Sequence, residues 1–72
     1  MDPYKNLNGD SGVVEYEIGM DLIRVQFRNR QIFRYTNETA GRDHVERMKE
    51  LARQGRGLST YISQNKPGFT RE

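Results

Sequence analysis

Between Leu22 and Asn37 the chain carries four arginines, Arg24, Arg28, Arg30 and Arg34, and not one acid. Guanidinium groups are planar forks of donors that match the paired oxygens of phosphates and carboxylates. Arginines at this density make a candidate anion-binding surface. In "FRNRQIFRYT", Phe27 to Thr36, three of them alternate with Phe27, Phe33 and Tyr35. Further on, Gly55-Arg56-Gly57 sets Arg56 on a glycine-flanked connector within reach of a backbone phosphate. Lys66 adds a cation just before Pro67-Gly68.

Other chemistry is poorly represented. His44 is the single histidine and there is no cysteine, so His-based and thiolate metal sites lack ligands and a catalytic triad is not expected. His44 reads as a helix-surface or packing residue. Glu15 and Glu17 lie two apart, as paired acid and base carboxylates can, but an open sheet face offers no cleft, so they read as salt-bridge acids. The "GRG" connector lacks the length, lysine and preceding strand of a phosphate-binding P-loop. No acid, base and nucleophile converge, so neither an enzyme nor a cofactor or small-molecule substrate is expected.

The elements that must hold these residues are small. With 72 residues, 33% of them apolar, the chain makes one domain near the lower limit for a self-supporting core. Such a core supplies about 3–5 kcal/mol, so a partner or a homodimer would add useful stability. No apolar run approaches a membrane span, and "MDPYKNLNGD" has neither the basic start nor the apolar centre of a signal peptide. A soluble, cytoplasmic protein is expected, without membrane association. The net charge of +2 is unevenly spread: residues 1–21 hold five acids and one lysine, whereas residues 55–72 hold three cations and one acid.

Residues 1–12, rich in Asn, Gly, Asp and Ser, read as a flexible lead-in, residues 13–66 as the domain and residues 67–72 as a tail. "VVEYEI" alternates Val14, Tyr16 and Ile18 against Glu15 and Glu17, and "LIRVQF" alternates Ile23, Val25 and Phe27 against Arg24 and Gln26. With "QIFRYT", these predict a three-stranded antiparallel meander. The period then becomes helical, with Val45, Met48, Leu51 and Ala52 on one stripe. Thr39 is the expected N-cap, Gly55 the left-handed stop, and Glu46–Lys49 and Glu50–Arg53 the i,i+3 ion pairs. "LSTYISQN" predicts a short second helix. The fold class is α+β: a three-stranded antiparallel meander packed against one main helix, followed by a short second helix.

Register decides which side chains the arginines face, because a one-residue slip reverses every side chain. A two-residue turn at Met20-Asp21 sets Ile18 opposite Ile23, Tyr16 opposite Val25 and Glu17 opposite Arg24. A three-residue loop, Arg28 to Arg30, sets Val25 against Phe33 and Ile23 against Tyr35. It places Arg30 where glycine is usual, at a cost of roughly 1 kcal/mol. Phe33 and Tyr35 then point inward, which excludes base stacking on these rings. Arg24 faces Arg34, a like-charge pair that Glu17 relieves on one side only. Arg34 and the two turn arginines are left without an acidic partner. A solvated sheet face and an anion-binding face both fit this pattern.

"IRVQFRNRQIFRYT" and the helix followed by "GRGLSTYI" resemble the KTSC domain, a small domain named for the C-terminus of certain lysyl-tRNA synthetases and found alone in bacteria and their phages. The resemblance spans roughly Val13 to Ile62. The family's Tyr-any-Tyr triplet stands here as Phe33-Arg34-Tyr35, its turn glycine as Arg30, and its late basic residue as Ser63. The family has no established function; its association with the synthetase suggests RNA binding, and the resemblance brings no catalytic residue and no cofactor.

Together these readings predict a small non-catalytic module that binds nucleic acid, RNA first. Its contacts would be Arg24, Arg28, Arg30 and Arg34, assisted by Arg56 and Lys66, and largely independent of base sequence. The alternative is a protein-interaction or self-assembly module, in which an edge strand or the arginine face meets an acidic protein partner.

Overall fold

The computed structural model describes residues 1–7, 9 and 11–72; of the expected lead-in, Asn8 and Asp10 lie outside the described residues. Strands β1 (Asp2–Pro3), β2 (Val13–Ile18), β3 (Leu22–Phe27) and β4 (Ile32–Thr36) precede helices α1 (Arg42–Gln54) and α2 (Leu58–Asn65), and β5 (Thr70–Arg71) follows. The sheet is antiparallel throughout, in the order β1-β2-β3-β4-β5. The expected meander is therefore its centre, and the predicted count of three strands is corrected to five. Residues expected as a lead-in and a tail supply the two outer strands.

The central register is the one the alternation requires. Ile18 pairs with Ile23, Tyr16 with Val25 and Glu17 with Arg24, then Val25 with Phe33, Ile23 with Tyr35 and Arg24 with Arg34. One expectation fails at the start of β2. The register shifts between Val13 and Glu15, so Val13 and Val14 share one place opposite Phe27. This bulge turns Val13 inward at 1% exposure and leaves Val14, expected inward, at 37%. The β3–β4 hairpin closes with the amide of Phe27 donating to the carbonyl of Gln31, and that of Arg30 donating to Phe27. Arg30 takes φ 69°, the predicted left-handed conformation on a residue other than glycine. Asn29 offsets part of the strain, because its Oδ1 accepts the amide of Gln31 at 3.1 Å.

Helix α1 lays Val45, Met48, Leu51 and Ala52 onto β3 and β4, where Ile23, Val25 and Tyr35 are fully buried. Its N-cap is Gly41, not Thr39. The Thr39 hydroxyl is committed elsewhere: it accepts the amide of Thr36 while the Thr36 hydroxyl accepts the amide of Thr39, both at 3.1 Å. Gly55 ends the helix at φ 80° as predicted. Any Cβ there would also lie 2.6 Å from the Cβ of Lys5. Glu46 pairs with Lys49 as expected, but Glu50 pairs with Arg47 instead of Arg53. Lys49 is 5% exposed and its ammonium also donates to the carbonyl of Met20 at 3.0 Å, which ties α1 to the β2–β3 turn.

The two ends of the chain are built into the domain. Tyr4 is buried, its amide donates to the carbonyl of Val14, and its hydroxyl accepts the amide of Leu58 at 3.2 Å. That hydroxyl satisfies one of the free donors at the start of α2. At the other end Phe69 covers Phe33 and Tyr35, and the amide of Glu72 donates to the carbonyl of Ile32. The edges of the sheet are thus two two-residue strands, one containing a proline. The longer β2 and β4, which the alternative reading offered for strand pairing, are interior.

Candidate nucleic-acid interface

Alternation places Arg24 and Arg34 side by side on the outer sheet face, the face away from the helices. Two adjacent guanidiniums need a negative group between them. The structure supplies two. Glu17 takes a hydrogen bond from Arg24 across the β2–β3 pair. Glu72, brought over the same face by β5, accepts from Nε and Nη2 of Arg24 at 2.8 and 2.6 Å and from Nε of Arg34 at 3.2 Å. One carboxylate therefore bridges both arginines, and the expectation that Arg34 lacks an acidic partner is corrected. The electrostatics follow the geometry. Hydrogen bonds from Arg24, then from Arg34, hold the Glu72 carboxyl down at about 2. The hydrogen bonds that Arg24 donates to Glu72, and then to Glu17, raise its guanidinium above its ordinary range.

Arg28 and Arg30 differ. Both are exposed on the hairpin tip, and no described carboxylate pairs with either. The fold brings other cations to this end of the sheet. The amide of Arg28 donates to the carbonyl of Gly12, at the start of β2. From there Tyr4, bonded to Val14, leads along residues 5–7 to Leu7, whose amide donates to the carbonyl of Gly55 at 2.8 Å. Exposed Arg56 therefore sits at the same end as the hairpin tip, with Lys5 packed against Gly55 and Arg53 in the last turn of α1. Sequence patterning did not mark Lys5 or Arg53 as members of this group, because only the folded N-terminal segment unites them.

Lys66 belongs elsewhere. It follows α2, and the next residues run against the β4–α1 turn, where Gly68 touches the carbonyl of Thr39. That turn is the opposite end of the sheet. Of the six cations singled out in the sequence, Arg28, Arg30 and Arg56 lie at the same end of the sheet, Arg24 and Arg34 form a neutralised pair, and Lys66 stands apart.

His44 has a structural partner, and Tyr35 lies in the core. The Nδ1 atom of His44 and the Tyr61 hydroxyl lie 2.6 Å apart in a half-buried contact between the helices. Tyr35 is wholly buried and its hydroxyl has no hydrogen-bond partner among the described residues; burial pushes its phenol up to about 12. The described residues enclose no pocket and hold no group of three side chains able to bind a metal ion. No helix among them is long and apolar enough to cross a membrane. The arrangement can make ionic and hydrogen-bonded contacts through the exposed cations at the hairpin-tip end.

Compared with known families, curated proteins and solved structures, the chain matches no family model, no curated protein and no solved structure.

Proposed function

We propose that this chain is a small non-catalytic module that binds single-stranded nucleic acid, RNA first, through phosphate contacts from Arg28, Arg30 and Arg56. The observation that carries this reading is the placement of the hairpin tip and the Gly55–Gly57 connector at the same end of the sheet, which the backbone bonds of Arg28, Tyr4 and Leu7 define. Lys5 and Arg53 extend the same positive end, and arginine is the side chain best suited to forked phosphate contacts. Arg24 and Arg34 add little while Glu17 and Glu72 neutralise them, and Lys66 lies outside the contact. We also propose membership of the KTSC family on "IRVQFRNRQIFRYT" and "GRGLSTYI", which favours RNA and a cytoplasmic setting.

Fluorescence anisotropy with labelled single-stranded RNA and DNA, across a salt series, tests the reading. Three phosphate contacts to a single strand predict roughly a twenty-fold loss of affinity between about 50 and 200 mM salt. Absence of binding at the lower salt overturns it. The competing reading is an acidic protein partner recognised by the same cations. Polyglutamate bound as tightly as RNA of equal charge would favour that alternative.

A further inference from the structure

Phe69 is the one large aromatic among the described residues that the fold leaves substantially open, at 45% exposure. Its ring lies flat on Phe33, with centroids 4.1 Å apart and planes 9° apart. Phe33 is backed in turn by Phe27 at 5.0 Å, and the guanidinium of Arg71 lies 5.6 Å from the centre of the Phe33 ring. Contacts hold the chain on both sides of Phe69. Pro67 is buried, and Gly68 runs so close to Thr39 that a Cβ would stand 2.1 Å from its carbonyl oxygen. After it, Thr70 and Arg71 pair with Arg34 and Phe33.

A phenyl ring whose only role is to fill a core is normally buried on both faces. Phe69 has one face on Phe33 and lies tilted against Tyr35 at 5.7 Å, yet it keeps 45% of its surface in solvent, with cations at hand. Arg71 flanks the stack, and the Phe27 and Phe33 strands lead directly into Arg28 and Arg30. An aromatic face bordered by phosphate-binding cations is what a single strand needs, because every base has a stacking face and every linkage a charge. An acidic protein surface would use the cations but gain nothing from the ring.

We propose that Phe69 is a stacking platform for one unpaired base of a single-stranded nucleic acid, with Phe33 as its backing and Arg71, Arg28 and Arg30 holding the flanking phosphates. The proposal rests on the nucleic-acid reading above and names the part of the ligand that the cations do not recognise.

The experiment compares the full chain with Phe69→Ala and Phe69→Trp, each titrated with a fluorescein-labelled single-stranded oligonucleotide and with an abasic strand of equal length. The wild-type chain should prefer the base-bearing strand by roughly 5- to 150-fold, the effect of one stacked base. Phe69→Ala should lose that preference while binding the abasic strand unchanged. Phe69→Trp should keep it, and its indole, the sole tryptophan of the chain, should be quenched by the base-bearing strand only. Should Phe69→Ala fail to fold by circular dichroism, the wild-type preference and the tryptophan quenching decide. Equal wild-type affinity for both strands, or a preference that survives in folded Phe69→Ala, overturns the platform and leaves the phosphate reading standing. Absence of binding to either strand overturns both.

Discussion

Arg30 and Arg34 belong to one hairpin, yet they end in opposite electrostatic states. Arg34 shares a carboxylate with Arg24 on the flat outer face, whereas Arg30 and Arg28 project from the tip with no described acid on them. The difference lies in what each position can be reached by. A side chain on a sheet face has neighbours on both adjoining strands, so a further strand can deliver a partner from far along the chain. Glu72 does so across 48 residues to Arg24 and 38 to Arg34. A hairpin tip has no adjoining strand, so its cations stay available to an external ligand. Position in the sheet, more than density of arginine in the sequence, separates a paired cation from an unpaired one.

The largest effect expected from this contrast is on binding. Replacing Arg28, Arg30 and Arg56 together by alanine should reduce affinity for single-stranded RNA more than tenfold at about 50 mM salt. It should also flatten the salt dependence by about 0.7 in slope for each phosphate that is no longer neutralised. Arg34→Ala in the wild-type background should change both by less than twofold. Anisotropy titrations of the two variants side by side check the contrast. If Arg34→Ala weakens binding as much as the triple variant, the division between face and tip is wrong.

The next effect is on stability, and it lies on the outer face. Glu72→Gln removes the bridging charge and leaves Arg24 and Arg34 opposed, with Glu17 the only acid beside them. A loss of about 1 kcal/mol is expected, at the upper end for an exposed ion pair because one carboxylate serves two guanidiniums. Its pH dependence has a definite sign. The folded carboxyl titrates at about 2, below its ordinary 4.5. Its contribution is therefore complete above pH 4.5 and is lost as the pH falls towards 2. Urea unfolding of both proteins should show a gap that is constant from neutral pH down to about 4.5 and closes below it. A gap that persists at pH 2 would show that Glu72 acts through packing and not through its charge.

Much of this arrangement was legible in the sequence because it follows from local rules. Period-two alternation with a three-residue loop fixed every pair between β3 and β4, including the opposition of Arg24 and Arg34, and located the strain at Arg30. What escaped was non-local or irregular. The bulge at Val13-Val14 adds one residue without altering composition, so two adjacent valines give no sign of which faces inward. The cap at Thr39 failed because the Thr36 hydroxyl, an equally good partner, lies three residues back. Glu72 and Phe69 were missed for a related reason. "FTRE" after Pro67-Gly68 does alternate, with Phe69 and Arg71 on one side and Thr70 and Glu72 on the other. Four residues, however, are too few to outweigh a terminal position, and only docking against β4 gives the pattern meaning. Arg28, Arg30 and Arg56 were named singly in the sequence, but their grouping was not, since only the path of residues 4–7 shows that Lys5, Arg53 and Arg56 lie at the end of the sheet that holds the hairpin tip.

The smallest effect separates stability from binding at the tip itself. Arg30 holds φ 69°, which costs an ordinary L-residue about 1 kcal/mol or slightly more, while glycine gives back part of that gain through the greater freedom of its unfolded chain. Arg30→Gly should therefore stabilise the protein by about 0.5 kcal/mol, with the hairpin otherwise unchanged. The same substitution removes one of the two tip cations, so affinity for single-stranded RNA should fall as stability rises. Arg30→Ala is the control: it removes the same charge and keeps the strain, so it should match the glycine variant in affinity and the wild type in stability. A glycine variant that is more stable and binds with undiminished affinity would make Arg30 a plain substitute for a turn glycine. Opposite movement of the two quantities would instead mean that the hairpin retains a strained residue because its charge is used.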